Sequence, residues 1–131
     1  MPPGGVTLDR VRPENVHVPR EEFLAVWDEA RRRGTEPGVD GYAAAVAQTC
    51  RWLAAVPMRT ALCGGLPRSP VTQRACVARA ELIEAECRAA ETDDGYAPAV
   101  ACRPGWRDGV RATFRWAWEG RGPAPIEIAP A

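Results

Sequence analysis

Apolar residues recur at helical spacing in four stretches, divided by polar and Pro/Gly-rich segments. From Arg20 to Arg33, Phe23, Trp27 and Ala30 share one face with Leu24 beside them, the period of an amphipathic helix. Glu21 and Glu22 in its first turn, Arg31 to Arg33 in its last and Gly34 just beyond all suit the helix dipole. A second helix is predicted from Asp40 to Val56, stopped by Pro57. Tyr42, Val46, Cys50 and Leu53 line one face of it, and its alanines permit a neighbour to approach closely. A third is predicted from Pro70 to Glu91, with Ser69 as N-cap and Pro70 in the first turn. It carries two apolar stripes, one through Thr72, Cys76, Ala80, Ile83 and Cys87, the other through Val71, Ala75, Ala78, Leu82 and Ala85. Two such faces predict contacts on two sides and the most central place in the fold. Leu82→Ala or Ile83→Ala should then cost about 2–5 kcal/mol. The fourth helix is predicted from Pro104 to Glu119, with Trp106, Val110, Thr113, Phe114 and Ala117 on its core stripe and Gly120 ending it.

Residues 1–19 lack any period and read as an extended Pro-rich arm, with a short strand around Val16 to Val18. Residues 57–70 form a connector, and 120–131 a Pro-rich tail. The expected fold is all-α, with about four helices in a compact bundle or paired helical hairpins over a single domain, 20–119. DGYAAAV at 40–46 echoes DGYAPAV at 94–100, and Thr-x-Arg-Trp occurs at 49–52 and 113–116. Their unequal spacing in an Ala-rich chain favours coincidence over duplication.

Composition narrows the function classes. Zero net charge over 131 residues, from 17 basic and 17 acidic groups, excludes a strongly cationic coat. No apolar run has the length of a membrane helix, and no signal region opens the chain, so a cytoplasmic location is expected. All 17 basic residues are Arg, and the chain holds 23 Ala but one Asn. That bias reflects a GC-rich bacterial genome better than a need for guanidinium chemistry.

The residues that carry chemistry are sparse. Cys50, Cys63, Cys76, Cys87 and Cys102 form no C-x-x-C pair and His17 is the lone histidine, so no metal or other cofactor is expected. Ser69 is the single serine and lacks a nucleophile-elbow context. Cys63-Gly64-Gly65 before Arg68 matches no phosphate-binding fingerprint. Cys102 is the one cysteine nominated as a reactive thiol, because it stands beside Arg103 and two residues before the predicted helix start at Pro104. A pairing of His17 with Cys102 has nothing in the sequence to bring the two together.

Charge adds one long-range expectation. Residues 81–94 hold six acids and one Arg, crowded toward a helix C-terminus, while 103–121 hold five Arg and two acids, with Arg103 and Arg107 at a helix start. Both are the wrong sign for the dipole, so the two helices should compensate each other in a hairpin. Arg107, Arg111 and Arg115 also repeat along one ridge of the fourth helix, with Trp118 beside it. An Arg ridge next to an aromatic fits a protein hot spot or a stacking platform for bases. The leading expectation is a small non-enzymatic interaction or adaptor protein that uses this face for a protein partner or for self-association. A nucleic-acid-associated protein using the same face comes second, and a thiol-dependent enzyme using Cys102 third.

Overall fold

The computed structural model describes residues 13–34, 41–54 and 68–128. Residues 1–12 of the expected arm, most of the 57–70 connector with Cys63, and the last three residues of the tail lie outside these. The described residues are mostly helical, and their one β-type pairing is an isolated bridge between Arg68 and Ala75. None of their helices is long and apolar enough to cross a membrane.

Helix α1 (Arg20–Gly34) has the ends that its charges predict and buries Phe23, Val26, Trp27 and Ala30. Helix α2 (Gly41–Ala54) packs against both α1 and the later helix α5 (Trp106–Thr113). Val46, Cys50, Trp52 and Leu53 are fully buried, as are the small residues Ala43, Ala45 and Thr49 between them. This helix, and not the third, occupies the centre. Small residues let a neighbouring backbone come near: a Cβ placed on Gly109 of α5 would lie 2.6 Å from the Tyr42 carbonyl oxygen and 2.9 Å from Ala45 Cβ.

The third helix begins ten residues later than the pattern predicts. The Ser69-Pro70 signature does open one helical turn, closed by the Gln73 amide on the Ser69 carbonyl at 3.2 Å. Gln73 then adopts a left-handed conformation, φ 60°, and the Ser69 amide bonds to the Arg74 carbonyl at 2.9 Å, reversing the chain. Beyond the reversal, carbonyls that a helix would use internally are taken by distant side chains. Trp52 Nε1 donates to Cys76 (2.9 Å) and Asn15 Nδ2 to Ala78 (3.0 Å). Only at Ala80 does α3 (Ala80–Ala90) start.

The second apolar stripe is thereby broken, and its members no longer share a helix face. Ile83 is fully buried, but Leu82 is 37% exposed. Leu82→Ala is therefore expected to shift stability by less than about 1 kcal/mol, as at other surface sites. Ile83→Ala should lower the denaturant midpoint clearly, and comparing the two midpoints checks the assignment.

The predicted fourth helix is two pieces, α5 and a π-helical segment, Phe114–Trp118, into which α5 runs directly. The expected loop before it holds a single turn, α4 (Pro98–Ala101), and Gly105 in a left-handed conformation (φ 80°) separates α4 from α5. The wider π turn carries Trp116 into the core, where it stacks on Phe23 with ring centres 6.1 Å apart. Phe114 meets Trp52 edge-on at 6.4 Å. Both flanks of the helical region join this core. Asn15 and Val16 are buried on one side and Ile126 on the other, and the Tyr42 hydroxyl donates to the Pro125 carbonyl at 2.7 Å. The DGYAAAV/DGYAPAV echo has only a partial structural counterpart: Gly41 to Val46 are helical throughout, whereas Gly95 to Ala97 are a 3-10 end and an extended link before the helical Pro98 to Val100.

Candidate functional site

The expected compensation between acidic and basic helix ends is present, with different partners. Glu91, just past α3, lies 3.5 Å from Arg111 and 3.6 Å from Arg115. Arg111 Nε also donates to the Ala90 carbonyl at 2.8 Å, and the Tyr96 hydroxyl donates to the same oxygen at 2.9 Å. Two donors thus satisfy a carbonyl at the C-terminal end of α3, where the helix itself has none to offer. Burial pushes the Tyr96 hydroxyl above its ordinary range, against the pull of Arg111 and Arg107. Arg103 and Arg107 lie over rings, Arg103 at 4.8 Å from the Trp106 ring centre and Arg107 at 5.2 Å from that of Tyr96.

The nominated face is therefore unequal along its length. Arg111 is three-quarters buried and does not project freely from the core stripe, so its loss should touch folding. Arg115 remains exposed. Trp118 is half-buried, and one side of its indole is covered by His17, with ring centres 5.1 Å apart. His17 Nδ1 donates to the Trp118 carbonyl, and the His17 amide donates to the Ala117 carbonyl at 2.8 Å. Glu119 and Arg121 form an ion pair at the rim. The lone histidine thus belongs to the Trp118 corner, a contact that no local pattern announces because 101 residues separate the two.

The cysteines fall into distinct settings. Cys50 is fully buried, and burial pushes its thiol far above the ordinary range. Cys87 is pushed up to about 12, first by burial and then by the carboxylates of Glu119, Glu84, Glu86 and Glu91. Both are packing groups at neutral pH. Cys102 is exposed, but it caps the C-terminal end of α4, its amide bonded to the Val100 carbonyl, and α5 starts only at Trp106. The helix start on which its nomination rested thus lies two residues further along the chain than expected. Among the described residues, no three His, Cys, Asp or Glu side chains converge to hold a metal ion.

A second cluster was invisible to sequence reasoning. Glu86 of α3, 5% exposed, reaches back to the turn at 69–74. Its Oε1 accepts the Val71 amide at 2.8 Å and the Thr72 amide at 3.3 Å, while Oε2 accepts the Thr72 hydroxyl at 2.5 Å. Because Thr72 spends its proton on Glu86, Ser69 must donate to Thr72 Oγ1 at 3.1 Å, and Ser69 Oγ in turn accepts the Arg74 amide. The turn is also held by Gln48, which donates to the Arg68 and Ser69 carbonyls, and by Trp106 Nε1 on the Pro70 carbonyl at 2.9 Å. Among the described residues no buried side-chain nitrogen or oxygen lacks a partner, the pattern of a structural network.

Comparison with protein-family models, with curated proteins and with solved structures finds no match to this chain.

Proposed function

We propose that the chain is a small, non-enzymatic interaction or adaptor protein that engages a protein partner through the half-buried Trp118, packed on His17, and the exposed Arg115 of the same helical segment. The observation that carries this reading is the engagement of the nearby guanidiniums by the chain's own groups. Arg111 and Arg115 lie beside Glu91, Arg107 over Tyr96, and Arg121 beside Glu119. Two carboxylates, Glu91 and Glu119, offset part of the charge of these four cations, and paired cations release fewer phosphate counterions on binding, so this ridge is less suited to a nucleic-acid backbone. A half-buried indole rimmed by paired charges suits a protein hot spot, where an aromatic anchor is shielded by polar neighbours. Cytoplasmic location and self-association remain parts of the same proposal.

The test compares wild type with Trp118→Ala and Arg115→Ala. Capture of a specific protein from a host lysate, or self-association in sedimentation, should weaken by about 30-fold in Trp118→Ala, the loss typical of a hot-spot residue. Arg115→Ala should weaken it only slightly, and salt should matter little. Steep salt dependence of binding to a mixed-sequence oligonucleotide, flattened in Arg115→Ala, points to nucleic acid and overturns the reading.

A further inference from the structure

We propose that residues 15–18 form a clamp whose docking holds residues 114–118 in their π-helical register, so that release of the clamp and a change of register at the tryptophan face are coupled. Four of the five carbonyls from Phe114 to Trp118 have an identified donor. The Glu119 amide bonds to the Phe114 carbonyl at 2.9 Å, five residues back, and the Arg121 amide to the Arg115 carbonyl at 2.7 Å, six residues back. The Ala117 and Trp118 carbonyls, in the last turn, have no donor from the helix itself. His17 supplies both, its amide to Ala117 and its ring to Trp118.

In a continuous α-helix each carbonyl would instead be served from four residues on. Returning residues 114–118 to that register removes the extra residue of the π turn and swings the Ala117 and Trp118 carbonyls about 100° around the axis, away from the His17 donors. The clamp's two bonds are therefore made in the π register and lost in the α register, a difference in contacts that favours the first. The rings reinforce this choice. Removing the extra residue of the π turn rotates the residues beyond it by about 100°, turning Trp116 from Phe23 and Trp118 from His17, contacts at 6.1 and 5.1 Å. Gly120 belongs to the same device, because its left-handed φ of 68° ends the helix after the wide turn. The far side of the clamp is fixed by Asn15, whose amide bridges the Leu53 and Ala78 carbonyls. Only the stretch from His17 onward needs to move. Regulation of partner binding at Trp118 rests on the function proposed above; the coupling itself does not.

Coupling between two sites is reciprocal, and this supplies a test that needs no partner. In His17→Ala, amide exchange at Glu119 and Arg121 should quicken about tenfold, as expected when local opening loses roughly one hydrogen bond's stabilisation. The indole protons of Trp52 and Trp106, bonded to Cys76 and Pro70, should keep their wild-type exchange rates. In Gly120→Ala, an added Cβ meets only His17 atoms at 3.9 Å, so the change penalises the left-handed end without a clash. There the His17 amide should exchange about tenfold faster. Unchanged exchange at Glu119 and Arg121 in the first variant, or at His17 in the second, overturns the proposal. Equal acceleration of those amides and both indoles also overturns it, because the clamp is then inseparable from global unfolding.

Discussion

Replacing Glu86 with Ala is expected to destabilise the fold by about 3–5 kcal/mol, the combined cost of its lost hydrogen bonds and of the buried donors left without an acceptor. The carboxylate accepts two backbone amides and a hydroxyl. Hydrogen bonds to a charged group contribute about 1.5–3 kcal/mol each, and a buried donor left without a partner costs about 1–3 kcal/mol. Val71, whose amide makes the shortest of the backbone bonds, is fully buried, so water cannot replace the lost acceptor. Glu86→Gln separates charge from shape. One amide oxygen can still receive the Val71 and Thr72 amides, but the NH2 then faces Thr72 Oγ1, which must turn its own proton away. The expected loss is smaller, about 1–3 kcal/mol. Urea unfolding of the two variants measures this, and a Gln variant as damaged as the Ala variant would show that charge outweighs the donor geometry. Loss of the anchor should also free the turn at 69–74, so exchange at the Ser69 and Arg74 amides should rise ahead of the rest.

Local signals made α1 legible, because charge at both ends and Gly34 all agree with its apolar period. The acid–base compensation between α3 and α5 was legible as a sum of charges but not as pairs: Glu91 finds Arg111 and Arg115, one and two turns beyond the expected Arg107. The stretch 70–79 misled for a physical reason. Nothing in TQRACVAR breaks a helix, yet Trp52 and Asn15, distant in sequence, compete for its carbonyls and win. The π segment misled in another way. Angular arithmetic at 100° per residue places Trp118 on the Arg ridge, whereas one wide turn redirects every side chain after it. Asn15, His17 and Glu86 act across the fold on backbone groups, and side-chain-to-backbone bonds of that range leave no periodic trace in the sequence. The candidate face was thus found by its residue types, while its organisation around His17 required the fold.

The close packing of α2 on α5 leads to the other large expected effect. Gly41→Ala and Gly109→Ala should each cost about 2–3 kcal/mol, within the usual range for overpacking. Together they should cost about 5 kcal/mol, enough to unfold a domain of ordinary stability. Helix propensity argues the opposite sign, since Ala in place of a helical Gly gains about 1 kcal/mol where nothing else changes. Space decides between the two. An added Cβ at Gly41 would stand 2.1 Å from the Pro104 carbonyl oxygen, and one at Gly109 would stand 2.6 Å from that of Tyr42. The Tyr42 oxygen belongs to α2 and the Pro104 oxygen to the turn just before α5, so neither can swing aside as a side-chain tip would. The helices must separate, and the fully buried Ala45 and Val46 beneath the contact would lose their packing with them. Gly122→Ala is the control: its φ is 80°, but an added Cβ there meets nothing within 4 Å. Strain alone then costs about 1 kcal/mol. Thermal melts of the three single variants and the double should rank Gly122→Ala mildest and the double variant unfolded. A gain in stability at Gly109→Ala would mean that propensity wins and that the two helices stand further apart than these distances require.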